Sequence, residues 1–168
     1  GFGETRVTEE PTTFLLGMKV QHDRERKQVV LSQAAYTRKL LAAFGIDENA
    51  TPATTPLPPD LVFQKFEGTA SSEYSYRMMC ICDGLQWLQT CTRPDIAFAT
   101  NMLARYASNP SPEHIAYANR VLRYLSGTME MGITYHGSDE ILNSGGYDIT
   151  NKLIGTVDSD LGGCKDTE

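Results

Sequence analysis

The sequence of 168 residues predicts an α+β fold, and three patterns along the chain indicate it. Apolar and polar residues alternate near the start and again after a charged run, as in a β-hairpin. Two later segments, separated by Asn109-Pro110, repeat apolar residues at helical spacing. Short strand-like runs return at residues 133–135 and 153–157. Strands, then helices, then strands, without an internal repeat, are typical of α+β proteins.

The first predicted elements are a hairpin with one buried face and a helix. The alternating apolar residues of the hairpin are Phe14, Leu16, Met18, Val20, Val29 and Leu31, on either side of a charged turn at residues 22–27. Ser32 is expected to cap the following helix, which closes at Gly45. The buried face of this helix is expected to carry Tyr36, Leu40, Leu41 and Phe44.

The next two predicted segments are a linker and a helix. Residues 46–72 contain four prolines among Thr and Ser, which predicts a linker that runs across the surface. Residues 76–89 are expected to be helical, with Trp87 and Leu88 buried. Trp87 could alternatively stack on a nucleic-acid base, but its apolar neighbours favour a core position.

A helical hairpin is predicted next. Thr92 is expected to cap its first helix, with Pro94 in the first turn and Asp95 reaching back as in a capping box. Ser111 is expected to cap the second helix, with Pro112 at its first position. The predicted buried stripes are Ile96, Ala99, Met102, Leu103 and Tyr106, and then Ile115, Ala118, Val121, Leu122 and Leu125. Because the connection is short, the two helices are expected to pack antiparallel.

Composition restricts the classes of function. No apolar run approaches the ~20 residues that cross a bilayer, so no membrane partner is expected. The four cysteines, which include Cys80 and Cys82, do not have the spacing of a zinc site, and these two are expected to be small reduced core residues. His114 lies in the first turn of a helix without a nucleophile motif nearby, so a structural or phosphate-facing role is favoured over acid–base catalysis.

The charge of the chain is unevenly distributed. The net charge is −6, yet residues 14–45 carry six Lys or Arg against two acids, and residues 74–127 carry five against three. Phosphate contacts are therefore expected from the hairpin and from the helical pair. The candidate nucleic-acid-binding residues are Lys19, Arg24, Arg26, Lys27, Arg120 and Arg123. A solvated surface is the alternative for the charged hairpin turn and for the two arginines of the second helix.

Four motifs resemble, in the same order, the Pol polyprotein of copia-type LTR retrotransposons. They are Phe14-Leu15-Leu16-Gly17-Met18, Thr55-Pro56-Leu57, the stretch from Leu85-Gln86-Trp87-Leu88 through Thr92-Arg93-Pro94-Asp95-Ile96 to Tyr124, and Leu153-Ile154-Gly155-Thr156-Val157-Asp158. In that family the first motif forms the primer grip at the edge of the reverse transcriptase palm. The third belongs to the thumb, and the fourth opens the RNase H domain.

The resemblance implies a division of the chain. Residues 1–48 would be the distal palm hairpin and helix, 49–72 the linker, 73–128 the thumb-like region, and 129–168 the start of an RNase H-like domain. Asp158 would be the first RNase H carboxylate, catalytic and metal-binding in the parent enzyme, which uses Mg²⁺. The family's polymerase carboxylates lie in a Y-x-D-D turn, which these 168 residues do not contain. Asp83 stands where the family has a small glycine, and Leu161 where it has a tryptophan.

The implied function is that of a fragment of an RNA-directed DNA polymerase with RNase H. The fragment would position an RNA–DNA or DNA primer-template duplex alongside the remainder of the Pol polyprotein, in a cytoplasmic virus-like particle or in the nucleus. Alone it is expected to be inactive and to hold no cofactor, because two-metal cleavage needs several carboxylates. One alternative is a non-enzymatic retrotransposon remnant that binds nucleic acid or protein. Another is a nuclease completed by a partner chain.

Overall fold

The computed structural model describes residues 13–47 and 50–136, and it confirms the α+β class. The helices are α1 (Ala34–Ala43), α2 (Ser72–Cys91), a short 3-10 helix (Pro94–Ile96), α3 (Ala97–Ala104) and α4 (Pro112–Gly127). The strands are β1 (Thr13–Leu15), β2 (Met18–Asp23), β3 (Gln28–Ser32) and β4 (Gly132–His136), which form one antiparallel sheet in the order β1-β2-β3-β4. None of the helices described is long and apolar enough to span a bilayer.

The first alternating run is two strands, not one. Leu16 and Gly17 both have positive φ, at 50° and 78°, and they form a tight turn that folds β1 back on β2. The expectation of a single strand with a buried face is therefore wrong, since Phe14 and Leu16 are exposed. Phe14 pairs with Lys19, so it lies on the face opposite Met18 and Val20, and the alternation does not continue through the turn. A leucine in a left-handed conformation gives no sequence signal of a turn.

The second turn lies within the predicted residues 22–27 but is shorter, because His22 and Asp23 still pair in β2. Residues 24–27 join β2 to β3, and the carboxylate of Asp23 accepts the backbone N–H of Arg26 at 2.8 Å. Lys27, with φ at 50°, completes the reversal. Asp commonly accepts a backbone N–H in this way and so substitutes for a backbone turn bond.

Helix α1 begins later than expected. Ser32 is the last residue of β3, and Gln33 occupies the N-cap position without a side-chain cap. The predicted Ser32 cap is thus wrong, because Ser32 is still paired with Lys19 in the sheet. The end is as predicted, since Gly45 follows the helix with φ at 74°. Leu40 and Leu41 are buried, whereas Tyr36 and Phe44 pack half-buried against the core.

The core lies among the helices, and α2 is its centre. Four residues of α2 are fully buried on the side that contacts the 3-10 helix, α3 and α4: Met78, Ile81, Leu85 and Leu88. Gly84 lets α1 approach closely, because a Cβ at this position would overlap the Leu40 side chain. In α3 and α4 the predicted stripes are buried as expected, except that Met102 is only half-buried.

The two predicted helix caps of the hairpin have different outcomes. Ser111 and His114 form a capping box at the start of α4, with Pro112 at the first position, which confirms the predicted cap. The predicted capping box of Thr92 and Asp95 is wrong. Thr92 follows the end of α2, and its hydroxyl donates to Gln33 Oε1 at 2.8 Å. Gln33 accepts the Thr92 hydroxyl, and Arg93 and Tyr124 donate to the Asp95 carboxylate, so neither side chain caps the helix.

Trp87 is also placed differently from the prediction. Its side chain is 41% exposed on the outer face of α2, whereas the neighbouring Leu88 is fully buried. The core assignment of Trp87 is therefore wrong. The apolar residues of α2 extend around more than one side of the helix, so sequence periodicity could not decide which of them are covered.

Candidate nucleic-acid interface

The cationic turn at residues 24–27 is the most exposed of the predicted contact sites. Arg24, Arg26 and Lys27 are exposed there, at the end of the β2–β3 hairpin. The Arg26 guanidinium lies 3.7 Å from the Asp23 carboxylate, both well exposed. Such a solvated pair is weak and exchangeable, so a phosphate can compete for Arg26.

Lys19 lies away from this turn, near the middle of the sheet. Cross-strand register pairs it with Phe14 on β1 and with Ser32 on β3. Residues alternate faces along a strand, so Lys19 shares its face with Gln21 and Asp23 of β2. The structure thus separates Lys19 from the turn by one strand length, and the four hairpin cations do not form one cluster.

Arg120 and Arg123 lie on α4, on the side away from its buried stripe. Arg120 is half-buried, and its guanidinium donates to Thr55 Oγ1 at 3.0 Å. Arg123 is exposed, and its backbone carbonyl accepts the N–H of Ala53 at 3.3 Å. Both residues therefore fasten the proline-rich segment to α4. Arg123 keeps its guanidinium in solvent, where it can contact a phosphate, whereas Arg120 is partly engaged.

Arg93 is a structural residue that the sequence reasoning did not single out. Its side chain is 2% exposed and makes a bidentate pair with Asp95, through Nε at 2.9 Å and Nη2 at 2.7 Å. It also donates to the carbonyl and hydroxyl oxygens of Thr128, at 2.9 and 2.7 Å. Arg93 thereby joins the start of α3 to the end of α4. We call Arg93, Asp95, Tyr124 and Thr128 the arginine clamp.

The electrostatics of the clamp favour an ionised Asp95. Burial alone would raise the pKa of this carboxyl, but the hydrogen bonds and charge of Arg93, aided by the Tyr124 hydroxyl at 2.9 Å, hold it below its usual value. The Arg93 guanidinium also lies over the Tyr124 ring, 5.7 Å from its centroid. A buried arginine paired in this way holds helices in position, and its N–H groups are not available as a set to bind a ligand.

His114 is buried in an aromatic cluster. Its Nδ1 accepts the backbone N–H of Ser111 at 3.0 Å, and its ring stacks on Tyr106 with centroids 4.4 Å apart. Phe63 stacks against both rings, and it comes from the segment predicted to be a surface linker. The linker is thus anchored to the helices by a residue that the sequence analysis missed. The sequence signal was the presence of two phenylalanines, Phe63 and Phe66, among prolines, serines and threonines.

The outer face of α2 carries an exposed stripe. Met79, Asp83 and Trp87 recur every four residues on it, and Tyr76 lies beside them. Apolar residues dominate the stripe, but Asp83 places a negative charge at its centre. Asp83 also raises the pKa of Tyr36 on α1, after the larger effect of burial. The stripe is therefore suited to apolar contact and is unfavourable for a phosphate at its middle.

The predicted catalytic and metal-binding residue lies outside the described residues. Asp158, together with the whole 153–157 strand prediction, falls beyond residue 136. Within residues 13–47 and 50–136, no three His, Cys, Asp or Glu side chains are close enough to hold a metal ion. Cys80 and Cys82 lie on α2 as free thiols, and burial, followed by the charge of Asp83, raises the pKa of Cys82 to about 11.

Comparison with known proteins places the chain among transposon sequences. It is 33% identical over 154 residues to the retrovirus-related Pol polyprotein from transposon TNT 1-94 of Nicotiana tabacum, a match of 89% of this chain and 11% of that protein. It is 39% identical over 104 residues to the Pol polyprotein from transposon RE1 of Arabidopsis thaliana, covering 61% of this chain and 7% of that protein. An uncharacterized mitochondrial protein of Arabidopsis thaliana is 30% identical over 157 residues, covering 94% of this chain and 59% of that protein.

No family model matches the chain, and no solved structure is significantly similar to it. The chain spans about a tenth or less of the length of the Pol polyproteins that it matches. The chain is nevertheless similar to three such polyproteins, those of transposons TNT 1-94, RE1 and RE2. The chain is therefore homologous to a segment of the retrovirus-related Pol polyproteins of plant transposons.

Proposed function

We propose that this chain is a segment of a copia-type reverse transcriptase with RNase H, and that it positions the primer-template duplex without carrying the polymerase centre. In this proposal residues 1–48 belong to the distal palm, 49–72 to the linker, 73–128 to the thumb and 129–168 to the start of RNase H. The parent enzyme would use Mg²⁺, with Asp158 among its carboxylates. The parent enzyme would act in the cytoplasm, inside a virus-like particle, or in the nucleus.

The exposed cationic turn at residues 24–27 is the observation that carries the positioning role. The hairpin end at residues 24–27 exposes three cations and one acid, Glu25, and so has a charge of +2 in a chain whose net charge is −6. Local concentration of positive charge against an acidic background favours contact with phosphates at one edge of the molecule. Phosphate and sugar contacts fix the register of a duplex and read no sequence. Weak binding without sequence preference is therefore expected.

A salt titration tests this role. Fluorescence anisotropy would follow binding of the chain to an RNA–DNA hybrid across a salt series. Each phosphate contact that is lost should reduce the slope of log affinity against log salt by roughly 0.9 on B-form DNA, and by a similar order on a hybrid. Replacing Arg24 and Arg26 by Ser and Lys27 by Asn should thus flatten the slope by up to about 2.7. Asn is chosen because it tolerates the positive φ of Lys27.

A control removes two exposed cations elsewhere. Lys39 on α1 and Lys65 in the proline-rich segment are exposed, so changing both to Ser lowers the net charge without touching the turn. The control should retain the wild-type slope to within a fraction of one contact. If the turn variant and the control have equal slopes, the turn serves only solubility and the positioning role is wrong.

A second candidate function is a non-enzymatic module derived from a retrotransposon. Two observations favour it. Asp83 puts a negative charge in the middle of the exposed α2 stripe, where a duplex would be repelled. The matched mitochondrial protein of Arabidopsis is also far shorter than a Pol polyprotein, because the chain covers 59% of it. Salt-independent protein binding with no affinity for the hybrid would support this module over the first proposal.

A further inference from the structure

The four-stranded sheet has one apolar and one largely polar face. Cross-strand register places Val20, Leu31 and Ile133 in one row, with Val29 and Tyr135 in the next. Residues opposite each other in adjacent strands, and residues two apart in one strand, lie on the same side. The apolar sheet face therefore consists of Leu15, Met18, Val20, Val29, Leu31, Ile133 and Tyr135, with Thr13 and His22 at its margin.

The helical core does not cover this face. Among the described residues, neither the buried hydrophobic core nor the half-buried residues packed against it include any residue of the strands. Leu15 is 59% exposed and Tyr135 is 56% exposed, and the other five residues of the face are half-buried. Seven apolar side chains on one continuous surface exceed the scattered exposure that is ordinary for a globular protein.

A sheet that is apolar on one face needs a second layer. Sheets are stable when that face packs on helices or on another sheet, and residues 13–47 and 50–136 place no second layer on it. We propose that the apolar sheet face is the docking surface for an amphipathic helix, which another part of the same Pol polyprotein contributes. This inference rests on the proposed function in so far as it makes the chain a segment of a Pol polyprotein, but not on contact with a duplex.

The size of the face argues for a tethered partner over a second copy. Four strands about 4.8 Å apart, each about five residues of 3.3 Å, give a surface of roughly 300 Å². A stable dimer usually needs about 800 Å² from each partner, so this face alone does not hold two separate chains together. A segment of the same polypeptide needs far less area, because tethering raises its effective concentration to roughly millimolar.

The chemistry of the face and the length of the relatives complete the argument. The face carries no Lys, Arg, Asp or Glu, and Lys19 lies on the opposite side, so a nucleic-acid backbone finds no charge partner there. The stretch that matches this chain makes up 11% of the TNT 1-94 polyprotein and 7% of the RE1 polyprotein. Most of the sequence of each polyprotein is therefore available to supply the covering layer.

The test uses the full 168-residue chain and segments of the tobacco TNT 1-94 polyprotein taken from either side of the matching stretch. Amide signals of the labelled chain would be followed by NMR as each purified segment is added. Because the segment is not tethered in this experiment, its binding should be weak, with a dissociation constant of roughly 1 mM, and at least one segment added at that concentration should shift the signals of β2, β3 and β4. The double substitution Val20→Lys and Leu31→Lys should weaken this binding tenfold or more.

Two further variants keep the result interpretable. Gln21→Lys with Thr134→Lys adds the same charge to the opposite face, and it should change the affinity by less than twofold. Tyr135→Lys replaces a well-exposed residue of the apolar face, so it should keep the fold and still weaken binding if the double variant melts early. Sedimentation of the chain alone should give a monomer.

Three results would overturn the inference. They are the absence of binding by every segment, equal loss in the variants of both faces, and a dimer of the chain that Val20→Lys dissociates. None of them bears on duplex binding, because the salt slope depends on the turn at residues 24–27. Equally, a salt titration that shows no role for the turn would not contradict the proposed docking surface.

Discussion

At the scale of single residues, Trp87 and Leu88 show how little separates a surface position from a core position on α2. They are adjacent, yet Trp87 is 41% exposed and Leu88 is fully buried. We expect Leu88→Ala to lower the free energy of unfolding by about 2–5 kcal/mol, as for other buried leucines. Trp87→Ala should cost about 1–2 kcal/mol, because truncating it opens no enclosed cavity. Urea denaturation of both variants checks the order, and an equal or larger loss for Trp87 would contradict it.

The arginine clamp gives a second prediction at this scale. Asp95→Asn leaves the Arg93 guanidinium buried without a charge partner. We expect a loss of about 2–3 kcal/mol in the free energy of unfolding, below the full cost of breaking a buried pair because the Asp95 side chain is 27% exposed. Asp60→Asn is the matched control, since Asp60 is exposed with φ at 60° and Asn tolerates that conformation.

The same pair should give the chain a specific acid sensitivity. The folded-state pKa of Asp95 lies below its ordinary value of 3.8, so the clamp contributes stability above that pH. This contribution is lost as the pH falls from about 3.8 through the folded-state pKa, because the carboxyl must then be protonated. Thermal melts between pH 2 and 6 should therefore show a shallower acid slope for Asp95→Asn than for wild type. Parallel curves would mean that Asp95 is not held ionised by Arg93.

At the scale of elements, α4 depends on its first turn. Ser111 Oγ accepts the backbone N–H of His114 at 3.2 Å, and His114 Nδ1 accepts the backbone N–H of Ser111. Ser111→Ala should destabilise the chain by about 1 kcal/mol through loss of the cap. Ser72→Ala is the control, because Ser72 lies inside α2, one residue after its cap Ser71. A thermal shift that is equal for the two variants would show that the box adds nothing to stability.

At the scale of the whole molecule, the isolated chain should have no catalytic activity. It has no Y-x-D-D turn, and Asp158 is the one carboxylate that the resemblance assigns to RNase H. Neither primer extension nor cleavage of an RNA–DNA hybrid should rise above a buffer control with Mg²⁺ present. Turnover that persists through repurification and disappears in Asp158→Asn would refute this expectation and favour a nuclease completed by a second chain.

The amino-acid sequence by itself determined the periodic parts of this protein. The stripes of α3 and α4, the cap at Ser111, the turn at residues 24–27 and the helix end at Gly45 follow from local spacing, capping and turn chemistry. These depend on residues within a few positions of one another, so a single sequence contains all the information they need.

Only the tertiary structure decided which apolar surfaces are covered and which polar residues find distant partners. Phe63 is buried against Tyr106, in the turn after α3, and against His114 of α4. Arg93 is buried against Thr128, which lies 35 residues further along the chain. Strand β4 pairs with β3 across about a hundred residues, which makes it the fourth strand of the hairpin sheet. Helical or strand periodicity assigns a residue to a face, but burial depends on what packs against that face, and that is a property of the assembled fold.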